Sequence, residues 1–489
     1  MLTLSPSEAK RLETTYRVVR RSIDARQRDI KVNLTLLTDD AGVFISREAP
    51  IPLYEPPAFV DVAKKSDAPV VHIIGAGPAG LFAALTLLEH GIKPIIFERG
   101  KSVSDRKRDI ALLNRNEILN PESNYCFGEG GAGTFSDGKL FSRSKKRGNM
   151  QRVMELFHFF GAPDTVLYEA HAHIGSDKLP RIIQNMRECI LTHGGEIHFE
   201  TRIDSLSQLA MPNIPTIIAI GHSAHDTYRM LDQAGVAMEA KGFAMGVRAE
   251  HPQELINRLF YHNAPPEEVA LLGNASYSLV TQVNGHGVYS FCMCPGGHIV
   301  PAGSSIDGCV VNGMSASHRN SPFANSGMVV ELHRGGTAMD ALDYQEAYER
   351  LAKQHGGKGA QAPAQRMRDF VEGRHSATLP ACSYLPGIVS SRMDEWMPQP
   401  INACLKQGFK DFDRKHSGFL TNEALIVGVE SRSSSPVRIV RDAEGMQSVS
   451  HSTLYPCGEG AGYAGGITSS ALDGINTALK IAQRYGKLL

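Results

Sequence analysis

What the chain lacks narrows it quickly. None of its eight cysteines (126, 189, 292, 294, 309, 382, 404 and 457) pairs with another at CxxC spacing. Neither a disulfide framework nor a zinc site is expected, so the metal prediction is none. No apolar run approaches the ~20 residues of a membrane span, and the opening MLTLSPSEAKRLETTYRVVRR has no apolar signal core. The expectation is a reduced, cytoplasmic protein with no membrane partner. An excess of one charge is missing too, since 51 basic residues cancel 51 acidic ones. Such a surface exerts no global pull on nucleic acid, which is not an expected partner.

Glycine, by contrast, is abundant: 47 residues, many in three short runs. Clustered glycine brings backbone close to something, and a ligand is the natural candidate. At 489 residues the chain is too long for one core, so two or three domains are expected. Tyr16 to Ala25 and Asp29 to Thr38 alternate like two strands of a small sheet. The segment APIPLYEPPAF (49–59), with four prolines, reads as a linker. Residues 1–66 are thus a small α+β module plus linker. Its basic cluster (Arg17, Arg20, Arg21, Arg26, Arg28 and Lys31) reads as a solvated face.

From Val70 the pattern changes. VVHIIGAGPAG is an apolar strand running into a glycine turn, GLFAALTLLEHG a helix, and KPIIFERG a second strand. This is a βαβ unit opening a parallel sheet. Gly75-x-Gly77-x-x-Gly80 sits at the strand–helix junction, and Glu98 closes the next strand. In that context the pattern marks a dinucleotide site. Gly75 permits the turn, Gly77 admits a pyrophosphate, and Gly80 allows helix and strand to pack closely. The anion then rests on the helix N-terminus, and Glu98 is placed to accept ribose hydroxyls. The run Gly128 to Gly133 follows no buried strand, and Gly458 to Gly462 leads to no second strand ending in an acid. One nucleotide unit with two extra glycine loops suits a bulky dinucleotide, FAD rather than NAD. Gly465-Gly466-Ile467-Thr468 opens the last helix, whose N-terminus would stabilise negative charge on a flavin ring. Glu459 is placed for the ribityl chain.

These motifs, together with NPESNYCFGEGGAGTFSDGKL (120–140), FCMCPGG (291–297), VESRSSSPVRI (429–439) and LYPCGEGAGYAGGITSSALDGI (454–475), carry a resemblance along nearly the whole chain. The chain resembles a family of uncharacterised bacterial FAD-dependent dehydrogenases within the glutathione-reductase-type, two-dinucleotide-binding flavoproteins. The resemblance implies a Rossmann-type FAD-binding domain (67–235 plus 447–489), glutathione-reductase-like, with an inserted α+β substrate domain (236–446). It implies FAD held by Gly75, Gly77, Pro78, Ala79, Gly80, Glu98, Arg99, Gly221, Glu459, Gly465, Gly466, Ile467 and Thr468. Gly130, Gly131, Ala132, Gly133 and Thr134 would run along the flavin.

The function that follows is an FAD-dependent oxidoreductase, moving hydride between flavin N5 and a small organic substrate. No second nucleotide unit is present, so NAD(P)H enters only as a transient reductant. Rival readings are an RNA-modifying or RNA-binding flavoprotein, tested by co-purifying nucleic acid, and a flavin redox sensor without turnover. Candidates for chemistry are few. Arg432, with Arg438, could anchor an anionic substrate or hold an internal ion pair. His173 is a candidate general acid. Cys292 and Cys294 read as packing, because one-residue spacing on a strand strains a disulfide. The sequence names neither substrate nor oligomeric state.

Overall fold

In a computed structural model the described residues are 2–37, 56–115, 118–141, 148–209, 213–333 and 335–487. The last residue of the expected second strand and most of the linker (38–55) lie outside them.

The N-terminal module has one strand and one helix more than the two strands read from the sequence. β1 (Leu2–Leu4) leads into α1 (Pro6–Glu13), which starts on a capping box between Ser5 and Glu8. β2 (Arg17–Asp24) and β3 (Lys31–Leu37) complete an antiparallel sheet in the order β1-β3-β2. Ala9, Ile30, Val32 and Leu34 merge with the core of the inserted domain, so the module is docked there. Arg21 pairs with Glu13 and Glu169, Arg26 with Asp24, and Lys31 with Asp29. Half of the basic cluster is thereby matched by local acids.

The next unit is doubly wound. β4 (Val70–Ile74), α2 (Pro78–Glu89), β5 (Lys93–Phe97) and α3 (Val103–Asn114) come first, then β6 (Glu196–His198) and β7 (Thr216–Ile218). The last strand of the chain, Leu454–Pro456, returns to pair in parallel with β7. The five strands are all parallel, and β4 lies between β5 and β7. Their apolar side chains are buried because helices cover both faces. α2 is apolar all round and buried over nearly its whole length, as a helix wedged between sheet and neighbours must be. The terminal helix Ile467–Arg484 lies on it so closely that a Cβ at Gly474 would sit 2.1 Å from the Ala79 carbonyl.

Between β7 and the last strand lies a seven-stranded sheet. Its spatial order is Val280–Val283, His286–Cys294, Phe323–Leu332, Phe243–Pro252, Leu425–Glu430, Ala362–Arg366 and Ile388–Ser390. All neighbours are antiparallel except the last pair. Helices Ala338–His355 and Ile401–Lys415 pack over it. Among the described residues no helix is long and apolar enough to cross a membrane, and no cluster of three His, Cys, Asp or Glu could hold a metal.

Candidate functional site

In the parallel sheet the chain leaves β4 toward β5 on one side, while β7 lies on the other. The connections part there and open a crevice at the carboxyl ends of the strands, the usual ligand position in such sheets. Three glycine loops meet in it. Gly75 has φ +104°, and a Cβ there would lie 2.4 Å from the Ala219 carbonyl. A Cβ at Gly80 would lie 2.0 Å from the Gly75 carbonyl. Both positions are closed to side chains for packing reasons. Gly77, the N-cap of α2, is different: its φ of −76° suits any residue, and the nearest atom to its Cβ position is the Gly131 Cα at 3.9 Å. What it keeps clear is the crevice.

The second loop is built around a residue that the sequence reading missed. The fully buried Arg106 of α3 donates to the carbonyls of Asn124 (2.7 Å), Tyr125 (3.0 Å), Gly128 (3.3 Å) and Glu129 (2.8 Å). Burial pushes its pKa down to about 10. Glu129 fixes the other side, its Oε2 accepting from the Val103 amide and from Arg187, both at 2.7 Å. The loop then docks on the first, with the Gly130 amide on the Ala76 carbonyl at 2.8 Å. An arginine on a helix face that also carries Val103, Ile110 and Leu113 is a readable signal of such a buried staple.

In the third loop the Gly458 amide is held by Asp473 of the terminal helix at 2.7 Å, and Asp473 is itself clamped by Arg441. Gly460 abuts the Gly221 carbonyl, and Thr468 Oγ1 donates to the Leu140 carbonyl at 2.8 Å. A Cβ added to Gly221, Gly465 or Gly466 would meet nothing within 4 Å. Like Gly77, these positions leave open space beside the backbone that a ligand could enter. Glu459 Oε2 accepts the Gly466 amide at 3.3 Å, at the mouth of the terminal helix, and burial raises its carboxyl to about 7.

One wall of the crevice is polar and carries charges of both signs. Lys139, next to the Leu140 that holds Thr468, lies 2.7 Å from Asp137, which also receives Arg319 at 2.6 Å. Against the burial that would raise it, these two cations hold the Asp137 carboxyl well below the carboxylate range. Lys139 Nζ also lies 4.0 Å from Cys292 Sγ and 3.7 Å from Cys294 Sγ. His173 is bridged to Lys139 through the backbone, with Nε2 at 3.1 Å from the Ser317 carbonyl. Burial, aided by Arg319, lowers its pKa, which leaves a neutral ring less suited to general-acid work than a free histidine.

Several expected roles shift. Arg432 does not face the crevice as an anion anchor: it is buried on Glu349, at 2.8 and 2.9 Å, with a further bond to Ser304. Arg438 pairs with Glu239 at the surface. Arg99, expected at the cofactor, lies over the Phe127 ring and gives four N–H bonds to Glu122 and Asp226. Glu98 stands at the end of β5 as expected, but its carboxylate receives the amides of Ala76 (2.8 Å), Gly100 (2.8 Å) and Gly128 (3.0 Å). It therefore ties the first glycine loop to the second, whatever it adds toward a ribose.

A parallel α/β sheet with three glycine loops converging at its switch point defines a dinucleotide-binding flavoprotein. Residues 67–122 match an FAD binding domain, 242–433 an FAD-dependent protein, C-terminal domain-like, and 2–38 a domain of unknown function. FAD is the cofactor, and the open space at Gly77, Gly221, Gly465 and Gly466 fits it. The chain is 39% identical to an uncharacterized protein of Clostridium beijerinckii, over 99% of this chain and 94% of that one. It belongs to that protein's family, a family of FAD-dependent proteins. Among solved structures it is similar to CtdE with FAD and a substrate (11% identity, 85% of this chain and 80% of that one, TM-score 0.32). It is likewise similar to the tetracycline destructase Tet(51) (11%, 86% and 83%, 0.33). A variant of the halogenase PltM with FAD gives 10%, 85% and 68%, with TM-score 0.37. At these scores the likeness does not bear on fold or function.

Proposed function

We propose that this protein is an FAD-dependent oxidoreductase acting on a small organic molecule, on a domain plan of the glutathione-reductase type. Bound FAD supplies two-electron chemistry, accepting or giving a hydride at N5. The chain supplies the rest. The N-terminus of α2 and the clear space at Gly77 would receive the pyrophosphate, and Gly221, Gly465 and Gly466 would leave room for the ring system. The N-terminus of the terminal helix would favour negative charge on a bound flavin ring by ~0.3–1 kcal/mol. The observation that carries the reading is the placement of Lys139, Asp137, Arg319 and His173 beside that helix mouth, on a wall contributed partly by the inserted domain. With Arg432 turned inward, Lys139 and Arg319, which share the Asp137 carboxylate, are the cations offered at this wall for an anionic substrate.

The test is anaerobic. Holoprotein is mixed with NADH, NADPH and fractions of a metabolite extract while the visible flavin band is followed. Bleaching by at least one fraction, and recovery with another, is expected. Bleaching by none would leave the sensor reading in its place.

A further inference from the structure

We propose that the cavity between the end of α3 and the loop after the strand His298–Pro301 binds a medium-chain carboxylate, whose head group meets Lys353. The cavity measures about 240 Å³. At ~30 Å³ for each water-sized group it has room for roughly eight of them, the length of such an acid. Its walls come from two parts of the chain: Leu113 and Leu119 at the end of α3, and Pro301, Val310 and Tyr384 of the inserted domain. The Tyr384 hydroxyl donates to the Ala360 carbonyl at 2.7 Å, so the residue offers a ligand its ring rather than its donor. Ile118 and Ile306 line the cavity too, one from each part, yet are 64% and 68% exposed. Two large apolar side chains thus stand in water around one opening, and an alkyl chain would cover them. The lining shares no residue with the three glycine loops or with the wall of Lys139, Asp137, Arg319 and His173. It is a site apart from the flavin crevice.

Charge sets the class of ligand. Lys353, near the end of the helix Ala338–His355, is the one charged side chain in the lining, and no carboxylate lines the cavity with it. Its ammonium donates to the neutral Gly359 carbonyl and, among the described residues, belongs to no ion pair. Glu349, one turn earlier on the same helix, is taken by Arg432. Asp307, on the loop, points no carboxylate into the lining and is exposed. The remaining titratable group is the Cys309 thiol, pushed up to about 12 by burial, so it stays uncharged and sets no anion beside the head group. A carboxylate at Lys353 would gain a charge-assisted hydrogen bond, while its chain leaves water for the apolar walls. A neutral molecule of equal length would lose the first of these, and an amine would be repelled.

The experiment titrates holoprotein with octanoate in a calorimeter, and repeats the titration with hexanoate, octan-1-ol and octylamine. Wild type is expected to bind one octanoate per chain, about tenfold more tightly than octan-1-ol, and no octylamine. Hexanoate should bind roughly tenfold more weakly than octanoate, each CH₂ being worth a factor of about three to four. Lys353→Met should bring octanoate down to the level of octan-1-ol. Gly303→Leu fills the cavity from a position with no left-handed φ, where the nearest atom to a Cβ is 3.6 Å away, and should abolish binding. Lys139→Met, in the flavin crevice, should bind octanoate as wild type does. Flavin content and melting temperature report that each variant is folded. No octanoate bound by wild type, undiminished binding in Lys353→Met or in folded Gly303→Leu, or a loss in Lys139→Met instead, would overturn the proposal.

Discussion

The guanidinium of Arg432 lies on the carboxylate of Glu349, with Nη2 and Oε2 at 2.8 Å and both side chains about 4% exposed. In spite of burial, each partner holds the other in its charged form. Removing one partner strands a buried charge. Arg432→Met is therefore expected to lower stability by roughly 3–5 kcal/mol, read by denaturant unfolding. Purified cold, the variant should keep its flavin, and sulfate should perturb the flavin spectrum as in wild type. Normal stability with a lost sulfate response would put Arg432 back at the substrate.

Glu98 organises backbone. Glu98→Ala leaves the amides of Ala76, Gly100 and Gly128 without their acceptor, each unsatisfied group costing ~1–3 kcal/mol. Both melting temperature and FAD content should fall, and Glu98→Gln, with one acceptor oxygen, should lie between. A loss of FAD at unchanged apoprotein stability would mean that Glu98 serves the ribose alone.

One part of the pH dependence comes from Glu459, and a second of the same sign from Glu430, also raised by burial to about 7. The Glu459 carboxyl is raised by burial from the ordinary 4.5 to about 7. Below 4.5 both folded and unfolded forms are protonated and burial costs nothing. As pH rises toward 7 only the unfolded form releases its proton, so apoprotein stability falls, by an amount on the order of 1–3 kcal/mol. Glu459→Gln should remove its share of this decline between pH 4.5 and 7 in thermal melts. An unchanged decline in the variant would assign it to another group.

Much of the flavin side was legible because its signals are local. Strand, Gly75 turn, α2 and Glu98 are consecutive, and each glycine's role follows from what a Cβ would strike. The return of Leu454–Pro456 to the sheet was readable from an apolar strand leading into a glycine loop. What escaped the sequence depends on distant partners. Nothing near Arg432 shows that Glu349, 83 positions earlier, will face it. Arg106 becomes a staple only when residues 124–129 fold over it. Nor does FCMCPGG show that its strand will shift register against Phe323–Leu332, elsewhere in the chain, and bring both thiols near Lys139.

The claim on which everything rests is that FAD lies across the crevice, with its pyrophosphate at Gly77. Gly77 has an ordinary φ, and no protein atom comes within 3.9 Å of its Cβ position. A side chain there should leave the apoprotein intact while blocking the phosphate. The deciding measurement is FAD released per chain from Gly77→Ala and Gly77→Val, beside the melting temperature of each apoprotein. The expected result is near-wild-type apoprotein melting with flavin content reduced in alanine and lost in valine. A valine variant that melts normally and carries a full complement of FAD would contradict the account.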